Sequence, residues 1–377
     1  MKPKDYLELR AGGVSYVRFD SMERLSSIEG VVFDCDGVLI DEKTSYDEAL
    51  KEAASELLKL LTGFWVESSE ISSEAIYRIR AVGSFNNDCD TLALLVEWLF
   101  KMLSDRHGNS LVERLSKLRM KDYPELSGIL KTESFERLEA GAASGWLEEL
   151  SRRVSALEGT AASLADVEST IGLSSETVAE LKKALNYPDK YGKSLLTTVF
   201  DEVFFGSDLI REVRGSGPYF EFEGKLKHEK LLVEPQTLES LQRRGLVLGM
   251  STGRGSWETW RTLGSLSNMF EKQACVFIGD FVAAEPSKKE LYEKPSPWSL
   301  VKAVKNLHRE GYVLYIGNSA EDLIMYKNAR KEVDKLVFAG VYDNSYDVAD
   351  YFQENGADLI IPKVNNLPKI LDFLEET

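Results

Sequence analysis

Two aspartates one residue apart, Asp34 and Asp36, close the apolar run VVFDCDGVL at residues 31–39. Side chains two positions apart on a strand share a face, so the two acids converge if strand geometry persists to its end. Gly37 then lets the backbone turn away. A buried strand of Val31, Val32 and Phe33 that ends in acids presents them at the carboxyl edge of a sheet, where open α/β folds bind ligands. The same residues also suit an ordinary acidic turn, so other segments must decide between chemistry and punctuation.

Three segments supply what paired aspartates would need. LGMSTGR, residues 248–254, ends an apolar strand in hydroxyls and a glycine, so Thr252 can donate to a phosphoryl oxygen while the Gly253 amide approaches closely. EKPSPW, residues 293–298, sets Lys294 beside two backbone-stiffening prolines and so places an ammonium next to accumulating negative charge. YIGNSAED, residues 315–322, ends a strand and enters a helix with Asn318, Glu321 and Asp322 as oxygen ligands for a hard cation. Each has a plainer reading: a turn, a solvated lysine, and a helix capped by Ser319. Their order, one after each expected strand end, favours a site.

The elements that must hold these residues divide by pattern. From residue 30 to 43, and again from 230 to 377, short apolar strands alternate with amphipathic helices, the mark of parallel βαβ units. The expected strands are LVLGM, ACVFIG, YVLYIG, KLVFAGV and ADLIIP. Between them, residues 44–229 read as helix after helix, beginning with SYDEALKEAASELLKLLTG, where Ser45 and Glu48 have capping-box spacing and Gly63 marks the stop. Residues 1–29 stand apart as an extension with one extended piece, VSYVRF. The expected fold class is α/β, a doubly wound and mainly parallel Rossmann-like sheet domain interrupted after its first strand by a large, mostly α-helical insertion.

Composition sets the surroundings. A chain of 377 residues exceeds the usual single-core size, and 43% hydrophobic with 29% charged residues suits a soluble globular protein. A formal charge of −16, with no basic patch interleaved with aromatics, argues against nucleic acid. It leaves room for a small anionic substrate, because local cations and a metal govern the potential inside a pocket. Three scattered cysteines point to a reducing compartment, and LALLVEWLF is interrupted by Glu97 and too short to span a bilayer. The expected setting is cytoplasmic, without a membrane partner; the oligomeric state is left open.

Taken in order, these motifs resemble the haloacid dehalogenase superfamily, in particular its phosphatase-like members with a helical cap inserted after the first motif. The resemblance covers residues 31–43 and about 230–377. It implies Asp34 as nucleophile, Asp36 as general acid and base, Thr252 and Gly253 as phosphate binders, and Lys294 as the charge-neutralising lysine. It also implies Mg2+ held by Asp34, the Asp36 backbone carbonyl, Asn318 and Asp322. Such proteins commonly read GDxxxD in the metal loop; this chain has Asn318 where the first acid is expected. The segment IRAVGSFNNDCDTL, residues 79–92, further resembles a cap sequence like GGFNNDWD of another branch. Asn86, Asn87, Asp88 and Asp90 either cap the helix that begins near Thr91 or face the substrate from the cap, with Asn87 and Asp88 as the candidate contacts, and Arg254 binds either a substrate anion or the following helix.

The implied activity is Mg2+-dependent hydrolysis of a small phosphorylated metabolite through an aspartyl-phosphate. A carboxylate attacking a phosphate dianion meets like-charge repulsion, so Mg2+ and Lys294 must neutralise the phosphoryl oxygens first. A dehalogenase would lack the second aspartate. A phosphomutase shares the intermediate, and Asn318 also admits a catalytically weak phosphometabolite-binding protein. Cys35 is expected to face away from the aspartates into the core. Trp257 and Trp260 are expected to pack rather than stack on bases, and the separated His107, His228 and His308 to stay clear of metal.

Overall fold

The computed structural model describes residues 5–10, 12–81, 88–155, 157, 164–343 and 345–376. The chain forms two compact units, one of Met1–Glu42 with Glu229–Thr377 and one of Lys43–His228. The first is built on an eight-stranded sheet. In chain order its strands are β1 (Tyr6–Arg10), β2 (Val14–Arg18), β3 (Ile28–Phe33), β4 (Val247–Thr252), β5 (Cys275–Phe277), β6 (Tyr312–Gly317), β7 (Leu336–Val341) and β8 (Leu359–Ile361). Their spatial order is β1-β2-β8-β7-β6-β3-β4-β5. Strands β3 to β8 pair in parallel, and the β1–β2 hairpin joins antiparallel to β8.

Alternation within β3 explains the layers. Val31, Phe33 and Cys35 enter one hydrophobic core, shared with Leu248, Met250 and Leu314's neighbour Ile316. Val32 enters the opposite core, with Leu300, Val304, Tyr315 and Leu323. Helices Trp298–Asn306 and Ala320–Ala329 cover the second face. A strand buried on both faces is the expected occupant of a parallel sheet centre. Burial of Cys35 on the first face, with Sγ 3.5 Å from Met250 Sδ, agrees with its expected core role.

Within the N-terminal extension, residues 5–10 and 12–29 include the β1–β2 hairpin, which packs on the sheet. Val17 is fully buried, and the Tyr6 hydroxyl donates to Ala357 O at 2.8 Å. Buried Asp358 fixes the hairpin's attachment: it accepts from Arg18 Nη2 at 2.9 Å, Ser21 Oγ at 2.7 Å, Tyr326 OH at 2.7 Å and Phe338 N at 2.9 Å. A buried carboxylate so fully bonded escapes the cost of an unpaired one. These polar contacts add to the apolar packing of Leu7, Leu9 and Val17 and to the pairing of β2 with β8 in attaching the hairpin.

The inserted unit is predominantly helical. Helix Glu48–Thr62 ends as expected at Gly63, whose φ is 83°. Its start differs from the capping-box expectation, because Lys43–Asp47 already forms a π-helical turn and Ser45 lies inside it. Helix Asp88–Leu118 carries the expected LALLVEWLF run and is broken at Gly108, with φ 22° and ψ −101°. Helices Ala142–Ser155, Ser175–Leu185 and Leu195–Phe205 match the remaining periodic segments. No helix among the described residues is long and apolar enough to cross a membrane.

Candidate active site

Three strand ends build the site. Register sets Phe33 of β3 level with Met250 of β4 and Ile316 of β6, and the Asp34 amide continues the ladder by donating to Ile316 O at 2.8 Å. Asp34 therefore lies one step past the last strand residue, between the ends of its two neighbours. Gly37, at φ 69°, turns the chain through residues 35–40, closed by Gly37 N to Ile40 O at 2.9 Å and Leu39 N to Cys35 O at 2.8 Å. The turn separates the two aspartates: Asp36 does not continue the strand toward Asp34 but is held elsewhere.

Asp34 meets Lys294. The ammonium lies 2.8 Å from Asp34 Oδ1 and 2.7 Å from Asp322 Oδ1, and it is only 11% exposed. Burial raises Asp34 to about 7, with Lys294 pulling it down and Asp322 and Asp36 pushing it up. Burial likewise opposes the Lys294 charge, yet the two flanking carboxylates hold its pKa above the ordinary lysine value. Asp322 stays below the usual carboxylate range: burial opposes its charge, but Lys294, Tyr315 and Ser319 outweigh that effect. Lys294 therefore lies between one carboxyl held above the usual range by burial, Asp34, and one held below it, Asp322.

Asp322 is committed on both oxygens. Oδ1 accepts from Lys294 and from Tyr315 OH at 2.6 Å; Oδ2 accepts from Ser319 Oγ at 2.7 Å and the Asn318 and Ser319 amides at 3.1 Å each. Ser319 and Asp322 form a capping box on helix Ala320–Ala329. YIGNSAED thus does cap its helix through Ser319, and Asp322, an expected metal ligand, also serves in that cap. A Cβ at Gly317 would fall 2.4 Å from Asp322 Cβ, so the glycine is needed for this close approach.

A hard cation asks for oxygen donors. Asp34, the Asp36 carbonyl and the Asn318 side chain supply them, and Asn318 lies so close to Gly37 that a Cβ there would be 1.9 Å from Nδ2. The donor chemistry fits Mg2+. Among the described residues no three His, Cys, Asp or Glu side chains gather as a metal site.

The other expected residues fall as follows. Thr252 is buried at the end of β4, one step past the level of Asp34, and accepts from Arg254 N at 3.3 Å. Ser251 is level with Asp34 and donates to Ser299 Oγ at 2.9 Å. At Gly253 a Cβ would meet nothing within 4 Å, so the position beside Thr252 is open. Arg254, an expected substrate contact, is instead buried between two carboxylates, donating to Asp36 Oδ1 and to both oxygens of Glu229 at 2.8 Å each. Asp88 opens helix Asp88–Leu118 and Asp90 accepts from Tyr187 OH, whereas Asn86 and Asn87 lie outside the described residues. Trp260 packs edge-on to Phe277, as expected.

Sequence reasoning missed Tyr315 and Glu229. Tyr315 is two residues before Gly317 in β6, so strand alternation aimed at the face of Asp34 and Asp322 would have found it. Glu229 carries no motif; only the paired crossings Ile40–Asp41 and Lys230–Leu231 bring it near Arg254.

The sheet order and the helical unit inserted after β3 define a mainly parallel, Rossmann-like α/β fold. A structural genomics target designated ZR25 is similar over 93% of this chain and all of its own, with a TM-score of 0.57 and 17% identity. A phosphatase, Tt82, from Thermococcus thioreducens has a TM-score of 0.49 and 21% identity, covering 92% of this chain and 99% of its own. A protein provisionally described as a β-phosphoglucomutase from Thermotoga maritima has a TM-score of 0.35 and 16% identity over 93% and 100%. No family model and no curated protein matches the chain.

Proposed function

We infer that the protein is a phosphomonoester hydrolase for a small phosphorylated metabolite, working through an aspartyl-phosphate on Asp34. The observation that carries this reading is the pairing of strand-end Asp34 with buried Lys294, two residues before a second, partly exposed carboxylate on Asp36. Lys294 lowers the repulsion between Asp34 and an incoming phosphoryl group. Asp34 attacks phosphorus while the bond to the leaving oxygen breaks, and Asp36 gives that oxygen its proton. Asp36 then takes a proton from the water that cleaves the aspartyl-phosphate. Asp34, the Asp36 carbonyl and Asn318 would hold Mg2+, which supplies neutralising charge to the phosphoryl oxygens. Buried Asp322 orients Lys294.

The test is phosphate release from sugar phosphates, phosphoglycolate, nucleotides and phosphoamino acids with Mg2+ present. Turnover on one class, lost in Asp34→Asn, is expected. Isomerised substrate without released phosphate would instead indicate a mutase; tight binding without turnover would indicate a binding protein.

A further inference from the structure

Arg254 has no part in the reaction as outlined, yet it is the most confined cation in the sheet unit's site. Its side chain is 1% exposed, and so is that of Glu229, which grips it with both oxygens. Glu229 is itself fixed by Thr262 Oγ1, which donates to Oε2 at 2.5 Å. Both bonds come from Nη2, so Glu229 anchors one end of the planar guanidinium, and the bond from Nη1 to Asp36 fixes the other. The remaining terminal nitrogen, Nη1, donates to Asp36 Oδ1 at 2.8 Å. Asp36 is 33% exposed, and among the described residues its Oδ2 accepts no hydrogen bond.

This arrangement divides the two oxygens of one carboxyl group. Oδ1 is tied to a buried, oriented donor, whereas Oδ2 is left to carry a proton. Charge compensation by Glu229 means that Arg254 brings to Asp36 mainly a direction. Its confinement also removes it from the substrate contacts, because no terminal nitrogen is without a carboxylate partner.

We propose that Arg254, set by Glu229 and Thr262, is a positioning residue that pins Asp36 Oδ1 so that Oδ2 delivers the proton to the leaving group. The proposal rests on the hydrolase reading above. Proton delivery matters when the leaving group is a poor one and little when it departs readily as an anion. Loss of positioning therefore acts selectively on alkyl phosphates, whereas a purely structural role for the Arg254–Glu229 pair would depress all substrates together.

The experiment compares glycerol phosphate with p-nitrophenyl phosphate in the full-length protein with Mg2+. Arg254→Ala is expected to lower kcat about 100-fold on glycerol phosphate and under about fivefold on p-nitrophenyl phosphate, with KM little changed. Arg254→Lys should restore part of the alkyl rate. Should Arg254→Ala fail to fold, Glu229→Gln and Thr262→Val read the same ratio in weaker form. An unchanged alkyl-to-aryl ratio in folded variants, with both rates falling together, overturns the role of Arg254 alone. No phosphate release from either substrate, or from the wider phosphomonoester panel, by the wild-type protein overturns the hydrolase reading and this proposal with it.

Discussion

Lys294 Nζ lies 2.8 Å from Asp34 Oδ1, and the same ammonium reaches Asp322 Oδ1 at 2.7 Å. Removing one member of a buried ion pair leaves charge without compensation, at a cost of about 3–5 kcal/mol. Lys294→Ala is accordingly expected to lower stability by about 3 kcal/mol in chemical denaturation and to abolish phosphate release. A variant that unfolds at the wild-type denaturant concentration would show that the lysine is not shared in this way.

Replacement of Asn318 and Asp322 should separate metal binding from scaffolding. Asn318→Asp adds a carboxylate among the oxygen donors near Gly37 and is expected to tighten Mg2+ about tenfold by calorimetry. Asp322→Asn is expected to loosen Lys294, Tyr315 and the capping box, lowering stability by about 2–4 kcal/mol. A lower Mg2+ affinity in Asp322→Asn without lost stability would restore Asp322 as a direct ligand.

Glu97 gives a pH test in the inserted unit. It is 1% exposed, neither oxygen has a hydrogen-bond partner among the described residues, and burial, with Glu168 nearby and Lys182 opposing, raises it to about 8. The folded form therefore favours the protonated acid, so stability falls as pH rises from the ordinary value of 4.5 toward 8. Glu97→Gln should unfold like the wild type at pH ~4 and be more stable by roughly 2 kcal/mol at pH ~8.5. Equal differences at the two pH values would place the carboxyl in contact with water or a partner.

Strand ends were legible because register converts sequence order into space. Asp34, Thr252 and Asn318 each follow an apolar run, and the parallel pairing of β3 with β4 and β6 brings those runs side by side. Asp322 was located after the expected strand end, but its hydrogen bonds to Lys294, Tyr315 and Ser319 were not legible, since spacing alone does not show an N-terminal cap. The fates of Asp36 and Arg254 depend on Glu229, more than 190 positions from Asp36 in the chain, and no local pattern predicts that meeting. Half of the β1–β2 hairpin was legible as the extended piece VSYVRF, but its bonds to buried Asp358 were not, because they join residues far apart in the chain.

The central claim is that Asp34 becomes phosphorylated during turnover, and trapping tests it most directly. Protein mixed with a turned-over substrate, quenched and reduced with borohydride should yield homoserine at position 34, detected by peptide mass spectrometry, because an acyl phosphate is reduced where a free carboxylate is not. Homoserine at Asp34 in the wild type and its absence without substrate is the predicted result. Rapid phosphate release with Asp34 unmodified under the same quench, or undiminished release by Asp34→Asn, would contradict the covalent mechanism.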